Sequence, residues 1–338
     1  MKKLNIAIIS IIAVTTLYFV GPKPSKPNYN SSLTVVPENS KELENYIFKQ
    51  EYSHKLKPNN EARIVWYNQT LKNKTDFAIV YLHGFSASQE EGNPVHRNIA
   101  KQFGCNLYLA RLSQHGIDTT DALINMTAEN LWESAKQAYA IGKQLGKKVI
   151  LMSTSTGGTL SLKLAAEFPD IAGQILYSPN IAIKDKKAAM LNNPWGLQIA
   201  KWVKGSPNNV VHINTPAYHQ YWNQTYRLEA TVELENLLET TMNTETFKKV
   251  HQPTLCLYYY KDELHQDNVV SIDAIKIMMQ EIATPEPQKQ IFALPNVANH
   301  VLASPIQSKD IVSVENKTAD FLKQILQLKD LNPITTIL

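Results

Sequence analysis

The chain has 338 residues, 43% of them hydrophobic and 19% charged, with a formal net charge of +4. This balance excludes a disordered or fibrous protein and points to a sizeable core, in one large domain or two small ones. The weak positive charge comes without a Lys/Arg cluster, so no nucleic-acid partner is expected.

Lys2 and Lys3 precede an apolar stretch from Leu4 to Val20, broken only by Asn5, Ser10, Thr15 and Thr16. Residues 1–20 therefore read as a membrane anchor or a signal peptide. No Ala-x-Ala-like site follows the stretch and no cysteine stands there for lipid attachment. An uncleaved anchor is favoured, with its basic end in the cytoplasm and the rest of the chain membrane-anchored or exported on the extracytoplasmic side. Residues 21–38, rich in Pro and Asn, read as a linker. Residues 39–338 read as the folded domain.

Within that domain, Ser40 to Ser53 has a helical apolar side at Leu43, Tyr46, Ile47 and Tyr52. Arg63 to Tyr67 is a short strand. Phe77 to Leu82 is a buried strand, ended by His83-Gly84-Phe85-Ser86. Pro94 to Phe103 is a helix and Cys105 to Leu109 a strand. Thr127 caps a long helix running to Leu145. Gln174 to Tyr177 and Thr254 to Tyr260 are strands. Ser271 to Ile282 is a helix, Gln290 to Leu294 the last strand and Val314 to Leu326 the last helix. This alternation predicts a mostly parallel central sheet with helices on both faces. The pattern breaks at about 181–250, where helical pieces near Trp195 to Trp202 and Leu228 to Leu238 flank an irregular aromatic stretch. That interval is expected to be a helical cap over the C-terminal edge of the sheet. Cys105 and Cys256 both fall in predicted buried strands and are expected to be free structural thiols. No metal-ligand spacing occurs, so no metal and no cofactor are expected.

The chemistry centres on residues 147–169. Val149 to Met152 is a short apolar run, Ser153-Thr154-Ser155-Thr156-Gly157-Gly158 follows, and a helical pattern then runs from Leu160 until Pro169. A serine between strand and helix stands on a tight turn with its hydroxyl above the sheet, the arrangement usually written Gly-x-Ser-x-Gly. Gly157 supplies the second glycine and Ser153 stands at the first. Ser155 is the candidate nucleophile. It needs a base, and the base needs a carboxylate to orient it. His300, just past the last strand, is the candidate base, with His265 as a rival. The loop after Tyr260 holds two candidate acids. Asp267 begins an Asp-x-Val-Val stretch whose apolar residues are expected to bury behind it, and Asp262 is the alternative. An oxyanion hole is expected from the backbone N–H groups of Phe85 and Thr156, with Gly84 allowing close approach. His83 is expected to brace that loop.

LHGF at 82–85, ARLSQHG at 110–116, STSTGG at 153–158, the acidic loop at 262–267 and Asn299-His300 together resemble the α/β-hydrolase superfamily. They are most like its carboxylesterase and monoacylglycerol-lipase-like members with a cap insertion. In ARLSQHG, Gln114 stands where that family usually has glycine. The resemblance covers about Arg63 to Leu326. It implies a serine hydrolase that acts on a small-molecule ester, with a hydrophobic acyl group, through Ser155, His300 and Asp267. Family members that are dehalogenases or epoxide hydrolases carry Asp at the elbow, and Ser155 argues against both. A peptidase or amidase would use the same triad, with Glu229, Glu233 or Glu235 to hold an amine. An inactive binding module is the third alternative, and Ser153 is the feature in its favour.

Overall fold

The computed structural model describes residues 5, 10, 15–213 and 215–332. Its centre is the pair β2 (Thr75–Leu82) and β4 (Gly146–Thr154), parallel and in register from Thr75 opposite Gly146 to Leu82 opposite Ser153. Side chains on a strand alternate between faces, and β2 is apolar on both. Ala78, Val80 and Leu82 enter one core, while Ile79 and Tyr81 enter the other. A strand buried twice has no polar face, which is why the sequence here reads as a continuous apolar run.

Around this pair lie β1 (Arg63–Val65), β3 (Asn106–Leu109), β5 (Gly173–Tyr177), β8 (Thr254–Tyr258) and β9 (Lys289–Ala293), in the order β1-β3-β2-β4-β5-β8-β9. Only β1 runs antiparallel to its neighbour. Helices α1 (Ser40–Tyr52), α3 (Ala128–Leu145), α4 (Thr156–Glu167) and α9 (Ile272–Glu281) cover one face. Helices α2 (Val95–Gln102) and α10 (Ile311–Gln324) cover the other. The long helix α3 starts where Thr127 predicts it. The Thr127 hydroxyl accepts the Asn130 N–H, and the Asn130 side chain accepts the Thr127 N–H in return, so two otherwise free donors are satisfied. Cys105 and Cys256 are buried free thiols.

The chain between β5 and β8 forms the cap. It comprises a 3-10 turn (Lys186–Asn192), α5 (Gly196–Lys204), a hairpin of β6 (Asn208–Val210) and β7 (Thr225–Arg227) holding α6 (Pro216–Tyr221), then α7 (Leu228–Thr241) and α8 (Thr244–Phe247). The hairpin was not expected, because strands of three residues show no alternation to read. Helix α7 returns to the body, where Ala230, Leu234 and Leu237 join the core with α3.

The expected anchor at residues 1–20 lies largely outside the described residues. Among the described residues no helix is long and apolar enough to cross a membrane. The stretch expected as a linker, 21–38, has neither helix nor strand, yet it is docked. Trp132 Nε1 and Lys136 Nζ donate to the carbonyls of Asn30 and Ser32, both at 2.8 Å, and Asn236 Nδ2 donates to the Ser25 carbonyl at 3.0 Å. Tyr29 packs edge-on to Trp132. These contacts hold the segment against α3 and α7 as a strap.

Candidate active site

Ser155 stands between β4 and α4 with φ 53° and ψ −117°, a conformation that costs a non-glycine residue about 1–3 kcal/mol. The surrounding backbone imposes it. The Ser155 N–H donates to the Tyr177 carbonyl at 3.0 Å, and the Ser155 carbonyl accepts from Gly158, Thr159 and Asn180 at 2.8, 3.3 and 2.9 Å. The turn also demands Gly157, since a Cβ there would fall 2.0 Å from the Leu82 carbonyl oxygen. Ser153, at the other usual glycine position, is accommodated as an ordinary strand residue. It is fully buried, pairs with Leu82 and Leu176, and donates its hydroxyl to the Ile175 carbonyl at 3.3 Å.

The loop after β9 brings His300 to the same cavity as Ser155. His300 Nδ1 donates to Asp267 Oδ2 at 2.6 Å. That bond fixes the tautomer with the proton on Nδ1, leaving Nε2 as a basic lone pair. Nε2 is buried and has no hydrogen-bond partner among the described residues. Asp267 is fully buried, and its other oxygen accepts the backbone N–H groups of Val269 and Val270 at 2.8 and 3.1 Å. The Val-Val stretch therefore steadies the acid through its amides. Only Val270 is buried behind it, since Val269 is 43% exposed. Burial opposes the charge on Asp267, but His300 and the two amides outweigh it and hold the carboxyl below its usual range. Burial likewise pushes His300 down, and Asp267, with Glu91 adding to it, brings the imidazole above its ordinary value.

The alternative acid, Asp262, lies elsewhere. It is exposed, caps its own turn through the N–H groups of Leu264 and His265, and bonds His265 Nδ1 at 2.8 Å. His265, the rival base, is thereby committed to Asp262 at the surface.

The Phe85 and Thr156 N–H groups have no backbone acceptor among the described residues. Phe85 lies in the loop after β2, and Thr156 opens α4 directly after Ser155. His83 braces that loop. Its Nε2 accepts the Leu112 N–H at 3.0 Å and its Nδ1 donates to the Gly84 carbonyl at 2.8 Å. Burial holds its pKa well below the usual histidine value, so it is neutral. Gln114, where glycine was noted as usual, adopts φ 64°, a left-handed conformation that explains the preference.

The cavity measures about 460 Å³, within the range of small-molecule sites. Ile183, Val211, Ile213, Trp222, Tyr226 and Leu234 supply its apolar wall, largely from the cap. One carboxyl group in it was missed from sequence. Glu91 is buried and accepts the Gly84 N–H at 2.6 Å. Glu229, Glu233 and Glu235 do not line the cavity. Glu229 pairs with Lys201 and Arg227, and Glu233 accepts the Ala128 N–H. No group of three or more His, Cys, Asp or Glu poised to hold a metal occurs among the described residues.

No protein-family model matches the chain. A thermostable monoacylglycerol lipase of Bacillus sp. (strain H-257) is 30% identical over 113 residues, which are 33% of this chain and 44% of that protein. The match thus spans less than half of that relative. Among solved structures, LipS and LipT, described as two metagenome-derived lipolytic enzymes, provide a match with TM-score 0.62 and 15% identity, covering 80% of this chain and 99% of that one. The monoacylglycerol lipase of Paleococcus ferrophilus matches with TM-score 0.57 and 13% identity, over 77% of this chain and 97% of that one. Est1E of Butyrivibrio proteoclasticus, bound to ferulic acid, matches with TM-score 0.53 and 15% identity, over 79% and 95%. The chain has the α/β-hydrolase fold.

Proposed function

We propose that the protein is a serine hydrolase that cleaves carboxylic esters with hydrophobic acyl groups. The observation that carries this reading is the buried Asp267–His300 pair, whose Nε2 has no partner among the described residues and whose imidazole lines the same cavity as the strained Ser155. The lipases and esterases that share the fold, and the similarity to a monoacylglycerol lipase over part of the chain, support it.

Ser155 Oγ attacks the ester carbonyl carbon while His300 Nε2 takes its proton. Asp267 holds the ring and stabilises the imidazolium. The carbonyl oxygen becomes an oxyanion, received by the N–H groups of Phe85 and Thr156. As the tetrahedral species collapses, His300 returns the proton to the departing alkoxide and the alcohol leaves. Water, deprotonated by the same Nε2, then attacks the acyl-enzyme carbonyl; the acyl–Oγ bond breaks, His300 returns the proton to Ser155 Oγ and the carboxylic acid leaves. The apolar wall of the cap suits an acyl chain. The peptidase alternative loses its three candidate acids, which lie outside the cavity. An anchor or export signal in residues 1–20 belongs to this reading on its sequence alone, and cell fractionation tests it.

The decisive experiment is labelling with a fluorophosphonate probe, with mass mapping of the tagged peptide. Wild-type protein is expected to take the label at Ser155 and Ser155→Ala to take none. A folded wild-type protein without label overturns the proposal. A series of p-nitrophenyl esters then reads the acyl preference.

A further inference from the structure

Glu91 is a carboxyl group buried where charge is costly, and the ester mechanism gives it no task. It sits in a 3-10 turn (Gln89–Gly92) after the oxyanion loop and is only 2% exposed. Its Oε2 accepts the Gly84 N–H at 2.6 Å. A side chain on Gly84 would begin 3.0 Å from both Glu91 oxygens and 3.1 Å from Ser155 Cβ, so the carboxyl and the nucleophile crowd the same face of this glycine. Trp222 of the cap lines the same cavity as Glu91. The cap holds the loop through the Asn223 N–H, which donates to the Ser86 carbonyl at 2.7 Å. Ala87, Tyr218, Trp222 and Val301 pack together beside this junction. Glu91 therefore stands where three things meet, namely the oxyanion loop, the cap and the histidine loop.

We propose that Glu91 is a positioning residue of the hydrolytic site, whose carboxyl group clamps the Gly84–Phe85 loop through the Gly84 N–H and whose charge acts on His300. This rests on the serine-hydrolase reading. The clamp sets where the Phe85 N–H points, and oxyanion stabilisation falls off steeply when a donor is misplaced. The charge favours the imidazolium that forms at His300 during acylation. It also lies next to the developing oxyanion, which it disfavours. The two effects act on different parts of a pH profile, so they can be separated.

Burial, opposed by Gly84, His300 and Trp222, leaves Glu91 raised from 4.5 to about 7. Three groups facing it are shifted away from neutrality. Burial pushes Tyr81 on β2 far up and Tyr218 on α6 up to about 12, and it pushes His96 on α2 down to about 3. Glu90, its neighbour in the turn, accepts from Asn93 Nδ2 at 2.7 Å. Asp267, behind His300, is held low by its own partners. Glu91 and His300 are left as the titrating pair.

The test compares Glu91→Gln and Glu91→Ala with wild type on a p-nitrophenyl ester from pH 5 to 9. Glutamine keeps an oxygen for the Gly84 N–H and loses the charge. Its acid limb in kcat/KM is expected to move to lower pH without a lower alkaline plateau. Alanine also removes the clamp, and its kcat is expected to fall about tenfold or more across the range. A Glu91→Gln profile that superimposes on wild type overturns the role of the charge. A Glu91→Ala plateau equal to wild type overturns the clamp.

A readout without catalysis comes from thermal unfolding in a Ser155→Ala background. With Glu91 raised in the folded state, the folded protein holds a proton that the unfolded chain has lost. Stability therefore falls as pH rises from 4.5 to about 7. Glu91→Gln is expected to lack that fall, and equal slopes overturn the proposal. Absence of fluorophosphonate label on wild type defeats the hydrolase reading itself, whereas an unchanged Glu91→Gln profile on a labelled enzyme defeats only the inference about Glu91.

Discussion

Two Asp–His pairs, each with its acid in the loop after β8, look alike in local geometry. Asp267 meets His300 at 2.6 Å, and Asp262 meets His265 at 2.8 Å. Their surroundings separate them. The side chains of the first pair are 0% and 11% exposed, those of the second 49% and 61%. In the exposed pair water screens the charges and solvates what the partners leave free. In the buried pair each lone pair and proton must find a partner within the protein. Asp267 finds three donors, whereas His300 Nε2 finds none. A buried polar atom without a partner costs about 1–3 kcal/mol. Such an atom, on a histidine that lines one cavity with a strained serine, is what the proposed site rests on. An Asp–His contact alone does not.

The largest effect expected from this contrast is on turnover. Ser155→Ala, His300→Ala and Asp267→Asn should each lower kcat on a p-nitrophenyl ester by roughly 10⁴ or more. Asp262→Asn and His265→Ala should leave it unchanged. If Asp262→Asn matched Asp267→Asn, the distinction between the pairs would collapse.

The pH dependence of activity comes next. In the proposed mechanism His300 must be neutral to accept the serine proton, and its pKa is raised from 6.5. Activity should therefore fall as pH drops through a value above 6.5, and the residual activity of Asp267→Asn should show this limb displaced to lower pH. Asp262→Asn should not move it.

Stability should show the same contrast with smaller amplitude. Asp267 is lowered, so its contribution is present above its unfolded value of 3.8 and is lost as pH falls through the folded one. His300 is raised, so its contribution is present below 6.5 and is lost as pH rises through the folded value. The pair stabilises most between these two limits. Asp267→Ala, which strands a histidine and two amides, should cost about 3 kcal/mol in denaturant unfolding within that window. The same substitution at Asp262 should leave the unfolding midpoint in place.

What the sequence made legible follows the same division between pattern and surroundings. β2 and β4 were readable because strands buried on both faces are continuous apolar runs. The tight turn at Ser155 was readable because it needs Gly157. Asp267 was preferred to Asp262 on the valines behind it. In the structure Val270 alone is buried there, and the decisive contacts are backbone amides, which sequence does not display. Glu91 passed unnoticed in Gln89-Glu90-Glu91, a run that reads as solvated polar turn. It shares its cavity with residues distant in sequence, Trp222 and His300 among them, so no local signal exists. The cap hairpin escaped for a related reason. Three-residue strands joined around a helix are held by their tertiary neighbours and carry no period of their own.

The smallest effect tests whether screening is the right explanation for the difference between the pairs. Asp262 is lowered chiefly by its hydrogen bond to His265, with help from two backbone N–H groups. Asp267 is lowered by His300 and two amides against the opposing effect of burial. In 1 M salt the Debye length is about 3 Å, so charge attraction between exposed groups is largely screened while a buried pair is shielded far less. Carboxyl titrations followed by NMR should then show Asp262 drifting upward toward 3.8 as salt is added, with Asp267 nearly still. Equal drift in both would mean that water reaches Asp267. The raised His300, which depends on an unscreened carboxylate beside it, would then lose its physical basis.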